Sequence, residues 1–327
     1  MRFKWLKRIF LSVLFLLGVI FILLLIPRVW SALNPDKPPL GYYFVAPVYL
    51  AAWTGIEKIV NLSPEIPSDI REIKNIEYKN INGKSLQLDM YIPDNIQKPA
   101  PLLVFIHGGG WRSGNRSDYL VYLIDFARRG YITATVSYRF LSDSCYPACV
   151  VDISDAVKWF FKNGDTYGYD PDRIALIGGS AGAHLALLTA YGWKKQGSDA
   201  DSSGSKHIKA VVDIYGPYDL TTQYARTHHL VTTFIDHSYE DSPDLYREAS
   251  PKKYLNKGDP PTMIIHGSSD ELVPISQSDS LAAKLSSLGI PYVYYRLPGW
   301  PHVMDIVKRV NAFSQEKMAA FLKEYLQ

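Results

Sequence analysis

From residue 70 to the C-terminus, short apolar runs alternate with longer amphipathic ones, and no other feature restricts the fold as much. PLLVFIH, YITATVSY, RIALIG, AVVDIYG, TMIIHG and PYVYYRL have strand length and are mostly apolar. Near-continuous apolarity means burial on both faces, as in a parallel strand covered by helices on either side. DYLVYLIDFARRG, VVDISDAVKWFFKNG, AGAHLALLTAYG, SDSLAAKLSSLG and AFSQEKMAAFLKEYL have helical spacing. In the second of these, Val151, Ala156, Val157 and Phe160 are expected on one buried side. REIKNIEYKN and SLQLDMYI alternate residue by residue, and INGK between them signals a hairpin. The expected fold class is α/β, a doubly wound and mostly parallel sheet. Reactive groups in such sheets lie beyond the carboxyl ends of strands, at the strand-to-helix joints.

The joint at residues 175–188, ALIGGSAGAHLALL, is the most informative. Gly178 and Gly182 flank Ser180 at the bend between the strand RIALI and the helix AHLALLTA. Without side chains there, strand and helix approach closely and lift the serine onto a sharp turn. The start of the following helix favours negative charge that develops beside it. The bland alternative is a glycine-rich turn with an incidental serine. A serine hydroxyl needs a base, which is expected later in the chain with an acid between the two. His302, in LPGWPHVMD, stands in the late loop where such a base belongs. Asp270, where MIIHGSSDELVP turns, is the expected acid, with Glu271 and Asp305 as weaker alternatives.

The joint FIHGGGW, residues 105–111, offers unobstructed backbone N–H groups. Gly109 and Gly110, with the N–H of Ala181, are the expected donors to an oxyanion, and His107 is expected to brace their loop. A phosphate-gripping loop is the competing reading, but no lysine-serine ending follows. Of the remaining histidines, His184 is expected to pack in the core and His266 to bond backbone. His207, His228, His229 and His237 are expected in polar, solvated surroundings. Cys145 and Cys149 lack a second pair to complete a metal site. They are expected to be free small residues rather than a disulfide, since such spacing bridges only with suitable backbone geometry. No metal site and no cofactor is expected. A net charge of +3 with no arginine-rich run excludes a nucleic-acid partner.

The N-terminus is a separate device. Residues 1–8 carry four basic side chains, and residues 9–26 are an uncharged run of 18 residues. As a helix that run spans ~27 Å, about the thickness of the hydrocarbon core. It reads as a transmembrane signal anchor with the basic flank cytoplasmic and the remainder extracytoplasmic. A cleaved signal peptide competes, although only a poor cleavage site surrounds Val29 and Ser31. Residues 27–69 are expected to form a proline-rich linker. It contains an aromatic segment, 40–56, that lies at the membrane interface or packs on the domain. If that segment also spanned the bilayer, the main domain would be cytoplasmic. The domain is expected at 70–327, with a cap insertion at about 216–260.

Together HGGGW, VSYRF, YPACVVDISDAVKWF, DPDRIALIGGSAGAHLA, YGPYDL, REASPKKYL, PPTMIIHGSSDELVP and LPGWPH resemble the alpha/beta-hydrolase superfamily. More narrowly they resemble the esterase group related to hormone-sensitive lipase and the bifunctional feruloyl and acetyl-xylan esterases. The resemblance runs from about residue 75 to the end. It implies Ser180 as nucleophile, His302 as base, Asp270 as acid, and Gly109, Gly110 and Ala181 as oxyanion donors. It departs from the group at Phe140, where leucine is usual, and at Pro301 and Val303, where glycine is frequent. The implied activity is hydrolysis of a small-molecule carboxylic ester by a serine hydrolase tethered to the lipid bilayer through residues 9–26. An amidase, formamidase or peptidase would use the same residues. A silent, membrane-tethered binding protein would be expected to lack one of them, and all are present.

Overall fold

The computed structural model describes residues 2–193 and 207–327. Its strands are β1 (Ile70–Ile81), β2 (Lys84–Pro93), β3 (Ala100–Ile106), β4 (Ile132–Val136), β5 (Tyr169–Gly179), β6 (Ile208–Ile214), β7 (Thr262–Gly267) and β8 (Tyr292–Leu297). They form one sheet in the order β1-β2-β4-β3-β5-β6-β7-β8. β1 and β2 form the expected hairpin, β2 also runs antiparallel to β4, and the other neighbours are parallel. The helices are α1 (Arg2–Leu33), α2 (Val45–Trp53), α3 (Leu120–Arg128), α4 (Ala148–Tyr167), α5 (Ala181–Gly192), α6 (Gln223–Thr227), α7 (His229–Ile235), α8 (Pro243–Glu248), α9 (Ser276–Leu288) and α10 (Lys308–Leu326).

The central strands show why apolarity is continuous. Leu102, Val104 and Ile106 of β3 join one core layer with α4, α5 and α9, while Leu103 and Phe105 join the opposite layer with α3 and α10. Successive side chains point to opposite faces, so a strand covered twice must be apolar at every position. In α4 the expected Ala156, Val157 and Phe160 are buried, but Val151 is 41 % exposed. Ile153 takes the inward place instead, in phase with Ala156, Val157 and Phe160 at helical spacing. Cys145 and Cys149 are free thiols, and burial pushes Cys149 up to about 12.

Two segments frame the sheet's carboxyl edge. Residues 216–260 carry α6, α7 and α8, and Val231, Phe234 and Tyr246 anchor them in the core. Residues 39–63 do not hang free between α1 and the sheet. The Gly41 and Tyr42 N–H groups donate to the carbonyls of Pro298 and Gly299, and Ile59 bridges Val307. A side chain at Gly41 would collide with the Gly299 carbonyl, so the contact is backbone on backbone. α1 is the one helix among the described residues long and apolar enough to cross a membrane, and it is almost wholly exposed.

Asp213, at the end of β6, is fully buried with one carboxylate oxygen on the Gly216 N–H (2.7 Å) and the other unpartnered. Burial pushes it up to about 7. A raised carboxyl binds its proton more tightly in the folded state. Stability therefore falls as pH rises from the unfolded value near 4 and levels off above about 7. Asp213→Asn removes that dependence. The melting temperature of the variant relative to wild type is expected to climb by roughly 5 °C or more between pH 5 and pH 8. A difference that stays flat with pH contradicts this.

Candidate active site

β5 ends at Gly179 and α5 begins at Ala181, leaving Ser180 alone on the bend with φ 55° and ψ −122°. That positive φ is strained for a residue with a side chain and persists only where the surroundings enforce it. The glycines enforce it here. A Cβ on Gly178 would lie 2.3 Å from the Gly182 backbone, and one on Gly182 would lie 2.0 Å from the Ile106 carbonyl. Strand and helix thus touch directly, and the serine is pushed above the sheet edge.

The structure brings Ser180, His302 and Asp270 together across 122 and 32 residues of sequence separation. Ser180 Oγ is 3.0 Å from His302 Nε2, and His302 Nδ1 is 2.6 Å from Asp270 Oδ2. Asp270 Oδ1 accepts the Leu272 and Val273 N–H groups at 2.9 and 2.8 Å. Burial opposes ionisation of Asp270, but hydrogen bonds from His266 and His302 outweigh it and hold the carboxyl at about 2. An ionised carboxylate on Nδ1 fixes the tautomer that leaves Nε2 free to accept a proton from Ser180. Of the alternative acids, Glu271 is exposed on the turn. Asp305 is buried, and its two oxygens accept the hydroxyls of Tyr215 (2.6 Å) and Tyr122 (3.4 Å) rather than the imidazole.

Gly109 and Gly110 lie with Ser180 on the wall of a cavity of about 550 Å³ and have φ of 103° and 59°. Positive φ at both positions, and a Cβ that would meet Ser113 backbone at 2.1 Å from Gly109, make glycine the fitting residue. The Gly109, Gly110 and Ala181 N–H groups have no hydrogen-bond acceptor among the described residues. His107 Nδ1 lies 2.9 Å from the Gly108 carbonyl, and its ring stacks on Tyr138, so it braces this loop. Leu230, from the 216–260 insertion, packs against Gly110 and closes the cavity on that side.

His184 packs in the core as expected, accepting the Trp111 indole N–H on Nδ1 and meeting the Ala249 carbonyl through Nε2. Burial lowers it to about 4. His207 and His237 meet the backbone carbonyls of Pro171 and Ile235. His228 caps α7 by accepting the Leu230 N–H, and His229 lies 3.3 Å from the Thr233 hydroxyl.

Other neighbours were not foreseen. His266 reaches the Val273 carbonyl (2.9 Å), as a backbone-bonding histidine should, but the same Nε2 also reaches Asp270 Oδ2 (3.1 Å). Ser278 Oγ lies 2.7 Å from its Nδ1, so a neutral ring with the proton on Nε2 satisfies all three contacts. Tyr215 lays its ring 4.5 Å from that of His302, at a φ of 48°. Leu62 and Ser63, from the expected linker, line the cavity mouth. His266 stands four residues before Asp270 and Tyr215 opens YGPYDL, but neither motif shows that the side chain turns toward the Asp270–His302 pair, and nothing in NLSPEIPSD marks Leu62 or Ser63 as cavity residues.

The BD-FAE family model matches residues 88–285. Esterase LipQ of Mycobacterium tuberculosis is 31 % identical over 268 residues, 78 % of this chain and 63 % of that protein. Esterase LipC of the same organism is 34 % identical over 221 residues, covering 64 % of this chain and 54 % of the relative. The chain thus spans between half and two thirds of the length of these curated relatives. Among solved structures, the apo form of Thermogutta terrifontis esterase 2 superposes with a TM-score of 0.69 at 24 % identity, covering 81 % of this chain and 98 % of that one. That likeness shows a common fold.

Proposed function

The chain belongs to the BD-FAE family of hormone-sensitive-lipase-like alpha/beta hydrolases, and from that premise we propose that it is a membrane-anchored serine carboxylic-ester hydrolase. The observation that carries the reading is the hydrogen-bonded line Ser180–His302–Asp270 opening into a cavity beside free glycine N–H groups. Ser180 Oγ attacks the ester carbonyl as His302 Nε2 takes its proton. The oxyanion falls to the N–H groups of Gly109, Gly110 and Ala181, and losing one such donor costs about 3 kcal/mol of transition-state stabilisation. Collapse of the tetrahedral intermediate expels the alkoxide, protonated by the His302 imidazolium. Water, deprotonated by His302, then hydrolyses the acyl-serine. The buried Asp270 carboxylate stabilises the imidazolium in both halves.

In the same proposal residues 1–8 are cytoplasmic, 9–26 anchor the chain in the cell membrane, and the hydrolase domain at 70–327 lies outside. The apolar, exposed α1 supports an anchor. A membrane-impermeant fluorophosphonate applied to intact cells is expected to label Ser180 and no other residue of the chain. Failure to label the purified, folded chain rejects the serine-hydrolase reading. Labelling only after lysis places the domain on the cytoplasmic side instead.

A further inference from the structure

A second cavity, of about 490 Å³, lies between the end of α1 and the start of α10. Arg28, Lys37, Lys58, Lys308 and Arg309 line it, against only Glu57 and Glu316. Both acids are already neutralised, Glu57 by Arg309 at 2.7 Å and Glu316 by Lys317 at 3.3 Å. Two of the cations are structural. Arg309 also bonds Ser31 and the Leu40 carbonyl, and Arg28 bonds the Ile56 carbonyl. Lys37, Lys58 and Lys308, all exposed, form no ion pair among the described residues, and Lys37 Nζ lies 6.0 Å from the Trp30 ring, so the lining keeps a net positive charge. A lining of that charge favours an anionic ligand.

The cavity's place along α1 indicates which anion. Arg28 and Ser31 follow the last residue of the uncharged run, Ile26, by two and five positions. At helical rise that is about 3 to 8 Å beyond the hydrocarbon edge, the depth of lipid phosphates. Just before α2 the chain is tied to the same part of α1, with the Tyr42 hydroxyl 3.2 Å from the Leu24 carbonyl, and Leu24 shares a buried cluster with Ala51 of α2. α2 leaves Tyr49 and Trp53 72 % and 85 % exposed, the residue types that settle at the membrane–water interface. Resting on the reading of α1 as a membrane span, we propose that this cavity binds the phosphate of a membrane phospholipid. Across a short clasp, in which Lys308 N–H donates to Lys58 and Val60 N–H to Ile306, lie Leu62 and Ile306 of the active-site mouth. A bound headgroup therefore holds that mouth at the membrane surface.

The test uses the full chain in non-ionic detergent, titrated with phosphatidylglycerol and read by native mass spectrometry. The combined variant Lys37→Gln, Lys58→Gln, Lys308→Gln is expected to bind the lipid at least tenfold more weakly. Lys162→Gln with Lys323→Gln, exposed on α4 and α10, is expected to bind as wild type does. Equal binding by the triple variant, or displacement of the lipid by an equal concentration of inorganic phosphate, overturns the proposal. A phospholipid with a photoreactive headgroup gives a second measurement on the unmodified chain. Cross-links are expected within residues 28–39, 57–58 or 308–316, and cross-links only elsewhere overturn it. Ser180→Ala is expected to keep full lipid binding, so the lipid site and the esterase reading fail separately.

Discussion

Ser180→Ala and His302→Ala are each expected to lower kcat for p-nitrophenyl acetate by roughly a million-fold, and the double variant by no more than that. The two side chains act as one unit. With the hydroxyl gone, the imidazole 3.0 Å away has no proton to take. With the imidazole gone, the hydroxyl stays protonated and weakly nucleophilic. Residual catalysis of about 10³ to 10⁴ over water is expected from the Gly109, Gly110 and Ala181 N–H groups, which neither change disturbs. Ser180 is half-buried on the cavity wall, and removing one oxygen leaves no core void, so the fold is expected to survive. Stopped-flow or long-time hydrolysis assays on folded variants decide this. Either single variant keeping more than about a hundredth of wild-type kcat removes the proposed nucleophile–base pair, as would strictly additive losses.

Asp270→Asn is expected to cost about 10⁴ in kcat while leaving KM within a few-fold. The carboxylate accepts on every side: two backbone N–H groups on Oδ1, His302 and His266 on Oδ2. An asparagine in either orientation turns an NH₂ against donors. If it faces His302, the imidazole must flip its proton to Nε2 and can no longer take one from Ser180. Because the carboxyl is held at about 2, Asp270 is ionised throughout any working pH range. An acid limb in the wild-type pH profile of kcat/KM therefore belongs to another group. The same depression makes a sign-defined stability contribution. It is fully present above the unfolded carboxyl value near 4 and is lost as pH falls through about 2. An asparagine variant with wild-type kcat would show that a different carboxylate steadies the base.

Most of the fold was legible because burial leaves a periodic trace. Six apolar runs became the six strands from β3 to β8, and the INGK turn became the β1–β2 hairpin. Val151 marks the limit of that trace. An apolar residue near a helix start says little about facing, since one position of helical phase turns it by 100°. The bend at Ser180 was legible for another reason, because the glycines that let β5 and α5 touch are steric requirements written at fixed spacing.

Residues 39–63 left no comparable trace. Their contacts to 298–300 and 306–308 are mostly backbone to backbone, which any residue type can make, so composition marked a proline-rich linker and left open whether its 40–56 stretch lies at the membrane interface or packs on the domain. Asp305 was visible as a weaker candidate acid and His266 as a backbone-bonding histidine, but their actual partners, and those of Tyr215, were hidden for a related reason. Each of the three is an ordinary strand-end or loop residue until the sheet order sets its neighbours.

By itself, then, the sequence determined the layered α/β architecture, the strained serine bend and the apolar N-terminal helix, because hydrophobic period and glycine sterics act within a few residues. Only the tertiary structure decided that Asp270, rather than Asp305, meets His302, and that the N-terminal segment walls the active-site cavity. Those outcomes depend on hydrogen bonds made across strand order, and no local pattern records which distant groups the sheet brings within 3 Å.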